Sequence, residues 1–267
     1  MNRILIIPTY NESKNIGPLL DQILPLGIEG LTILVVDDSS PDGTSRIVRE
    51  YAKKNPNIVL VERVGLRGRG TAGIVGFDMA MRLGAEEIVE MDSDFSHPPE
   101  DLPKIFSKLK EADIVIASRL APGALDTRPF SRRFITKLAN IYARFFMESP
   151  LHKNKIADWT TGYRGYRRIV FEKVPPPSMI SQGPSIVQEV LFRAMNQGLT
   201  SLEIPFTMID RAAGKSSFNR KIAVQSLMSI PAYRVLFSPK IPPVLLVKLN
   251  AEKSSDRTFT VTNTSLN

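Results

Sequence analysis

The sequence contains no cysteine and only two histidines among its 267 residues. Without cysteine, the chain can form neither disulfide bridges nor thiolate metal sites. This absence fits a reducing interior or a hot environment. With 43% hydrophobic and 23% charged residues, the chain can bury one sizeable core, which excludes a wholly disordered protein.

Long apolar runs are also missing. No stretch reaches the roughly 18 apolar residues of a membrane-spanning helix. The most apolar late segment, Ile241–Leu249, is short and contains Pro242, Pro243 and Lys248. The chain starts directly on a strand-like run, Ile4–Ile7, so we expect no signal peptide. We therefore expect a protein that does not cross a membrane by itself.

Positive charge dominates, with a formal net charge of +8 and an isoelectric point near 9.7. Between Arg119 and Arg168 there are 11 Lys and Arg against 3 acidic residues, and this difference of 8 equals the net charge of the whole chain. Such an excess is typical of a solvated basic face or of a surface that binds anions. Because the excess is local, we favour an anion-binding surface.

Short apolar runs alternate with helical patterns in the first half of the chain. The predicted strands are Arg3–Ile7, Thr32–Val36, Ile58–Val61, Glu87–Met91 and Asp113–Ala117, and the predicted helices are Ser13–Leu24, Thr44–Lys54, Ala72–Leu83 and Pro99–Lys110. This alternation indicates an α/β fold with a buried, mostly parallel sheet. Ligands of such sheets bind beyond the carboxyl ends of the strands, so the polar residues there form the candidate site.

The second half has a different pattern. It predicts helices at Ser131–Met147, Pro184–Gln197 and Lys221–Phe237, and strands at Thr161–Arg167 and Thr200–Met208. We expect a catalytic domain over residues 1–220, a second amphipathic helix over 221–237 and a tail over 238–267. The tail contains several prolines and is rich in Ser, Thr and Asn after Ala251, so we expect it to be partly disordered.

Three polar clusters follow predicted strands and should meet at one edge of the sheet. They are Pro8–Glu12, Asp37–Thr44 and Asp92–Glu100. Carboxylates two residues apart, as in Asp92 and Asp94, can share Mg²⁺ or Mn²⁺, which bind oxygen ligands and bridge diphosphate oxygens. Taken alone, Asp-x-Asp is also common as capping or solvated charge, and the second cluster also fits a turn that leads into a helix.

In this order, the three clusters resemble the family 2 glycosyltransferases of the GT-A fold, and within them the polyprenyl-phosphate (dolichol-phosphate) mannosyltransferase branch. The matching stretches, within a similarity over about residues 3–220, are Pro8–Glu12, Val36–Thr44, Gly68–Gly70, Met91–Glu100 and Ser118-Arg119. The resemblance implies a Rossmann-like nucleotide-diphospho-sugar transferase with amphipathic interface helices. It also implies metal-dependent transfer of a hexose, above all mannose from GDP-mannose, to polyprenyl or dolichyl phosphate with inversion.

The resemblance assigns roles to the matching residues. The nucleotide-sugar pocket would be formed by Pro8, Tyr10, Glu12, Val36, Asp37, Asp38 and Ser93. Asp92 and Asp94 would hold the diphosphate and Mg²⁺ or Mn²⁺, with Ser96 as a further metal ligand where some relatives have Gln. Arg119 would face the donor phosphates or the sugar. Arg211 and Lys215 belong to a segment that resembles a loop closing over the donor phosphates.

A predicted helix in the basic half is a candidate for contact with lipid. Its apolar residues recur at helical spacing between Phe130 and Phe145, and Arg132, Arg133, Lys137 and Arg144 flank them. Periodicity alone favours a core-facing helix with solvated charges, whereas the resemblance implies a helix in a membrane interface, with 221–237 as a second one. Guanidinium groups match phosphate geometry, so the candidates to bind the acceptor phosphate are Arg128, Arg132 and Arg133.

The acceptor determines the expected mechanism. A phosphate is ionised at neutral pH and needs no strong general base, so we expect direct attack of its oxygen on the anomeric carbon while arginines align the two anions. The predicted catalytic residues are Asp94, Arg119, Arg132 and Arg133. The expected partners are a nucleotide sugar, a polyprenyl phosphate, the cytoplasmic face of a membrane and a membrane-spanning protein, but no nucleic acid.

Three alternatives remain open at this point. The first is a family 2 transferase that uses UDP-glucose or another donor on a lipid or soluble acceptor. The second is a nucleotidyltransferase, which would carry a Gly-rich basic loop after the first strand, unlike Pro8–Glu12. The third is a basic anion-binding protein without enzymatic activity.

Overall fold

A computed structural model describes residues 1–65, 67–150, 152–210, 220–237, 247–253 and 257–265. The strands in these ranges are β1 (Arg3–Thr9), β2 (Leu31–Asp37), β3 (Ile58–Gly65), β4 (Glu87–Glu90), β5 (Ile114–Ser118), β6 (Leu125–Asp126), β7 (Arg164–Arg167), β8 (Ser201–Pro205), β9 (Thr207–Met208), β10 (Val247–Lys253) and β11 (Thr258–Ser265). The helices are α1 (Ile16–Ile23), α2 (Thr44–Lys54), α3 (Arg69–Arg82), α4 (Leu102–Lys108), α5 (Phe130–Met147), α6 (Arg168–Lys173), α7 (Ile186–Asn196) and α8 (Arg220–Leu236).

Nine of these strands form one sheet, in the order β10-β11-β3-β2-β1-β4-β7-β5-β8. The strand pairs from β11 through β3, β2 and β1 to β4 are parallel, as is β5 with β8. β7 runs antiparallel between β4 and β5, and β10 runs antiparallel to β11. The predicted α/β fold with a mostly parallel sheet is therefore confirmed, and the carboxyl ends of β1, β2 and β4 share one edge.

Both faces of the sheet are covered, which explains the near-continuous apolar runs in β1, β2 and β5. In β1, Ile4 and Ile6 point into the core layer under α3 and α7, whereas Leu5 and Ile7 point into the layer under α1, α2 and α4. Helix α3 lies close against β1, since a Cβ on Gly76 would come within 2.7 Å of Ile6 Cγ2. This close packing holds the amino end of α3 at the edge where β1 and β2 end.

The predicted strand Thr200–Met208 is divided in two. β8 ends at Pro205, which has no N–H to continue the ladder. Phe206 O then accepts a bond from Leu125 N at 3.2 Å, and β9 pairs with β6 in a separate two-stranded ribbon. The chain thereby leaves the sheet beside the segment that leads into α5.

Residues 247–253 and 258–265, within the predicted tail, form an antiparallel hairpin added to the edge of β3. The physical reason is the alternation in Thr258–Thr262, where β-branched and aromatic residues favour a strand. Val261 and Thr258 are buried there, and Val261 belongs to the core layer under α3. Ser, Thr and Asn content had obscured this alternation. The division into residues 1–220, 221–237 and 238–267 stays a prediction.

None of the helices within the described ranges has the length and apolar content that spanning a bilayer requires.

Candidate active site

The first part of the site lies where β1 and β2 end side by side. Asp37 is fully buried, and its carboxylate accepts bonds from Thr9 Oγ1 (2.9 Å), Ser40 Oγ (2.6 Å) and Ser40 N (2.8 Å). These three bonds satisfy a charge that burial would otherwise penalise. Asp37 is therefore held in one orientation before any ligand arrives.

The neighbouring Asp38 joins β2 to β3 and α3. It forms a buried ion pair with Arg63, and it accepts a bond from Gly68 N at 3.1 Å. Arg63 Nη2 in turn donates to Thr71 Oγ1 at 2.7 Å. Burial raises the pKa of Asp38, although Arg63 and Gly68 oppose the shift. These bonds fix the Gly-rich start of α3 against the strand ends.

The second part of the site follows β4. Asp94 is buried, and its Oδ1 accepts bonds from Ser96 N (3.1 Å) and Ser96 Oγ (2.6 Å) across Phe95, which has a left-handed φ of +64°. The Ser96 hydroxyl thus orients the Asp94 carboxylate. Ser93 is buried as well, and its hydroxyl lies 3.4 Å from Pro8 O, which links this turn to the end of β1.

Asp92 lies between the guanidinium of Arg69 and the ring of His97. Arg69 Nη2 donates to Asp92 Oδ1 at 3.3 Å, while Arg69 Nη1 donates to the buried Glu90 at 2.7 Å. The Asp92 backbone N–H donates to His97 Nδ1 at 2.9 Å, so the ring proton is assigned to Nε2, 3.8 Å from Asp92 Oδ2. Burial lowers the pKa of His97, which favours a neutral ring stacked on Tyr163.

The third part of the site is a buried ion pair at the end of β5. Arg119 Nε and Nη2 donate to the two oxygens of Asp158 at 2.8 and 2.7 Å, and the backbone N–H of Arg119 adds a bond of 3.0 Å. Burial opposes ionisation of Asp158, but Arg119 and the backbone donors outweigh it and hold the pKa of Asp158 well below its usual value. Arg119, predicted to face donor phosphates, is therefore bound to a carboxylate in this structure.

The segment that follows Asp158 reaches the carboxylates of the second part. A Cβ on Gly162 would lie 3.5 Å from Arg69 Nη2 and 4.0 Å from Asp92 Oδ1. Residues 158–162 therefore connect Arg119 with the Asp92 cluster.

Helix α5 exposes its apolar side. Phe130 is 73% and Phe145 76% exposed, and Phe134, Ile135, Leu138 and Ile141 are exposed between them. The residues of α5 that are buried are Asn140, Ala143 and Met147. Periodicity alone predicted that the apolar stripe faces the core; the structure turns most of it outward.

The arginines predicted to bind the acceptor phosphate differ in their partners. Arg128 forms two bonds with Asp126, at 2.8 and 2.6 Å, and Arg132 contacts Asp210 at 2.5 Å. Arg133 is exposed on α5. Arg211 and Lys215 lie outside the described residues. The basic excess of the sequence is thus not one surface, because Arg119 and the fully buried Arg164 belong to the interior.

The remaining predicted pocket residues lie around the first part of the site. Tyr10 is exposed, with the Arg67 guanidinium 5.6 Å from its ring centre, and Glu12 accepts a bond from Asn15 at 2.6 Å. Val36 is fully buried in the core layer under α3, and its place in the nucleotide-sugar pocket stays a prediction. Its place in an alternating, doubly covered strand explains this burial.

The sequence assigned no role to three residues that organise the site, Arg63, Arg69 and Asn140, although Arg69 lies in the matching stretch Gly68–Gly70. Each acts through partners distant in sequence, such as Arg69 with Glu90 and Asp92. One signal was available for Asn140, because it is a polar residue in the middle of an otherwise apolar and basic helix.

A divalent cation fits this site only in part. Asp92, Asp94 and Ser96 offer the oxygen atoms that Mg²⁺ and Mn²⁺ prefer. Within the described ranges, however, no group of three or more His, Asp or Glu side chains could hold a metal ion. A cation here would need further oxygens, which the diphosphate of a nucleotide can supply.

Comparison with known proteins identifies the family. Residues 4–175 match the family described as glycosyl transferase family 2. Polyprenol monophosphomannose synthase of Mycolicibacterium smegmatis is 38% identical over 219 residues, which cover 81% of this chain and 80% of that protein. Undecaprenyl-phosphate mannosyltransferase of Micrococcus luteus is 33% identical over 231 residues, covering 86% and 93%. The chain therefore belongs to glycosyltransferase family 2, and it is a glycosyltransferase.

The fold has solved counterparts. Glucosyl-3-phosphoglycerate synthase from Mycobacterium tuberculosis, in complex with Mn²⁺, UDP and phosphoglyceric acid, matches with a TM-score of 0.64 and 16% identity. The match covers 99% of this chain and 86% of that one. At this identity the likeness shows the shared GT-A fold, and it confirms the fold class expected from the three strand-end clusters.

Proposed function

We propose that this chain transfers mannose from GDP-mannose to the phosphate of a polyprenyl or dolichyl lipid, with inversion. The names of the M. smegmatis and M. luteus relatives support this sugar and this class of acceptor. In the structure, the observation that supports a lipid-bound acceptor is the outward apolar face of α5, a helix that begins two residues after Arg128. A soluble acceptor would give no reason for this exposure.

In the proposed reaction, a lipid-phosphate oxygen forms a bond to the anomeric carbon, and the bond from that carbon to the diphosphate breaks. The electron pair leaves with the nucleoside diphosphate. The attacking phosphate is already ionised, so no side chain has to remove a proton. This agrees with the neutral, buried His97, which accepts a backbone bond and takes a structural role.

The proposed roles follow from the partners of each residue. Asp92 and Asp94 would hold Mg²⁺ or Mn²⁺, with Ser96 orienting Asp94. The bound cation supplies neutralisation of the charge on the departing diphosphate. Arg119 would contact the phosphates from the Asp158 side, and the exposed Arg132 and Arg133 would guide the lipid phosphate from α5.

We also infer peripheral binding at the cytoplasmic face of a membrane. Arg132, Arg133, Lys137 and Arg144 flank the apolar face of α5, and anionic headgroups attract such side chains. α8 contributes Val224, Leu227 and Met228 as exposed apolar residues next to α5, where Tyr142 Oη donates to Leu227 O at 3.1 Å. A membrane-spanning partner protein would strengthen this attachment.

A donor panel tests the proposal directly. Purified protein is incubated with GDP-mannose, GDP-glucose or UDP-glucose, with and without polyprenyl phosphate, in Mg²⁺, Mn²⁺ or EDTA. We expect transfer from GDP-mannose that requires polyprenyl phosphate and stops in EDTA. Preference for UDP-glucose would favour the first alternative, and full transfer in EDTA would overturn the metal dependence.

A further inference from the structure

Asn140 carries the single amide side chain of α5 and is 2% exposed. Its Nδ2 lies within bonding distance of Asp158 Oδ1 (3.3 Å) and Thr160 Oγ1 (3.2 Å). Its Oδ1 accepts a bond from the backbone N–H of Trp159 at 2.7 Å. A buried amide that loses such partners costs roughly 1–3 kcal/mol. The side chain therefore ties α5 to residues 158–160.

The same acceptor atoms hold Arg119. Arg119 Nη2 donates to Asp158 Oδ1 at 2.7 Å and to Thr160 Oγ1 at 2.5 Å. Asn140 and Arg119 thus share both oxygens. In a shared, buried network, removal of one donor changes the geometry of the other. The orientation of the Arg119 guanidinium therefore depends on where Asn140 holds its two acceptors.

Asn140 also marks the point along α5 at which the helix first becomes buried. From Phe130 to Ala139 no residue of α5 is fully buried, and Asn140 is the first that is. The first half of the helix is largely exposed, including the side chains of Phe130, Phe134 and Leu138. This half contacts the rest of the protein through Arg132, which pairs with Asp210, and Thr136, which accepts a bond from Arg128 at 3.1 Å. Asn140 is the buried residue of α5 that links it to residues 158–160.

We propose that Asn140 is a positioning residue that couples the seating of α5 on a lipid surface to the orientation of Arg119 at the transfer site. The inference rests on the proposed function, because it takes a bilayer as the partner of α5. Lipid binding fixes α5, Asn140 then holds Asp158 and Thr160, and the guanidinium is kept in place for the two phosphates. Without lipid, α5 and this network are less constrained.

Hydrogen–deuterium exchange tests the coupling without any catalytic assay. Wild type and Asn140→Ala are compared with and without vesicles of equal parts phosphatidylcholine and phosphatidylglycerol. The backbone N–H groups of Arg119 and Thr160 bond to Asp158 and report on the network. In wild type, vesicles should slow exchange in α5 and at these two amides. In Asn140→Ala, vesicles should still protect α5 but no longer slow exchange at Arg119 and Thr160.

Two results overturn the inference. One is a wild type in which vesicles change neither α5 nor the network. The other is an equal vesicle-induced slowing in wild type and Asn140→Ala. The matched control is Asn55→Ala. Asn140 Nδ2 lies 3.1 Å from Thr136 O, four residues earlier on α5, and Asn55 Nδ2 makes the corresponding bond to Tyr51 O at 2.9 Å, at the end of α2. If Asn140→Ala fails to fold, Thr160→Val removes the shared hydroxyl from the other side with little change in shape.

A double-mutant cycle in the transfer assay separates positioning from general stability. Asn140→Ala should lower kcat/KM for polyprenyl phosphate about tenfold to a hundredfold, the scale of a small misplacement at a reacting centre. Combined with Arg119→Lys, Asn140→Ala should add little further loss, because both act through one guanidinium. Losses that multiply would contradict the inference, whereas an inactive wild type would contradict the proposed function.

Discussion

Two regions of the site differ in how firmly their side chains are held: the carboxylates at the ends of β2 and β4, which form the proposed donor edge, and helix α5, which forms the proposed acceptor side. At the donor edge, Asp37, Asp38 and Asp94 are buried, and each is held by hydroxyl, backbone or guanidinium donors. On the acceptor side, Phe130 and Phe145 of α5 are 73% and 76% exposed within the described part of the chain. The donor edge is a pre-oriented polar site, whereas the acceptor side has an apolar surface that needs a partner.

This difference fits the chemistry proposed for each half. Stabilising charge on a leaving diphosphate requires groups fixed before the reaction, because reorienting dipoles during the reaction costs free energy. A polyprenyl acceptor would stay in the bilayer, so the proposed reaction requires contact with the membrane surface. The outward face of α5 fits that task, and the network from Asn140 to Arg119 joins the two halves.

The largest loss of activity is expected from a substitution at the donor edge. Asp94→Ala removes a predicted metal ligand, and kcat for sugar transfer should fall by about a thousandfold, as for other pre-oriented electrostatic groups. The affinity for Mn²⁺, measured in the presence of GDP, should fall as well. The control is Asp78→Ala, which removes an aspartate that pairs with Arg82 near the far end of α3. Undiminished transfer by Asp94→Ala would remove Asp94 from the mechanism.

The fold could be predicted in large part because strand alternation and strand-end motifs are local. β1, β2, β3 and β4 and helix α2 appear at or near their predicted positions, since each carries its own apolar pattern and terminating turn. The tail hairpin could not be predicted in this way. Its strands gain their stability from the exposed edge of β3, which lies nearly 200 residues earlier in the chain.

The candidate site could be predicted as a set of residues but not as a set of contacts. Asp92 and Asp94 were identified from spacing and resemblance, yet the partners of Arg119, Arg128 and Arg132 are carboxylates that spacing does not reveal. The sequence also left open which way α5 faces. An apolar stripe has the same periodicity whether it packs on a core or on a lipid surface.

A smaller effect, on membrane binding, is expected from a substitution on the acceptor side. Phe134→Asp places a charge on the outward face of α5 and should weaken flotation with anionic vesicles by about tenfold to a hundredfold, the value of one buried aromatic side chain. The KM for long-chain polyprenyl phosphate in vesicles should rise in parallel. Because Phe134 is exposed, the thermal midpoint should not change.

A matched charge change elsewhere controls this experiment. Ser107→Asp adds the same charge on the exposed side of α4, on the opposite side of the sheet from the core layer that receives α5. It should leave vesicle binding intact. Transfer to a short, water-soluble polyprenyl phosphate should be normal in both variants. If Phe134→Asp floats with vesicles as wild type does, α5 is not the membrane-binding element.

The smallest effect is a change in the pH dependence of stability, and it concerns the Arg119–Asp158 ion pair, which connects the donor edge with α5. The pKa of Asp158 is held below its unfolded value, so its contribution to stability is complete above that value, near 4, and is lost as the pH falls below it. Asp158→Asn lacks this titration. Its deficit in unfolding free energy relative to wild type should be constant above about pH 5 and shrink by at most about 1.4 kcal/mol per pH unit below about pH 4. Urea denaturation followed by Trp159, the single tryptophan, measures both proteins. A deficit that stays constant down to pH 3 would show that Arg119 does not stabilise the ionised carboxylate, and the rigid link between donor edge and α5 would then need another explanation.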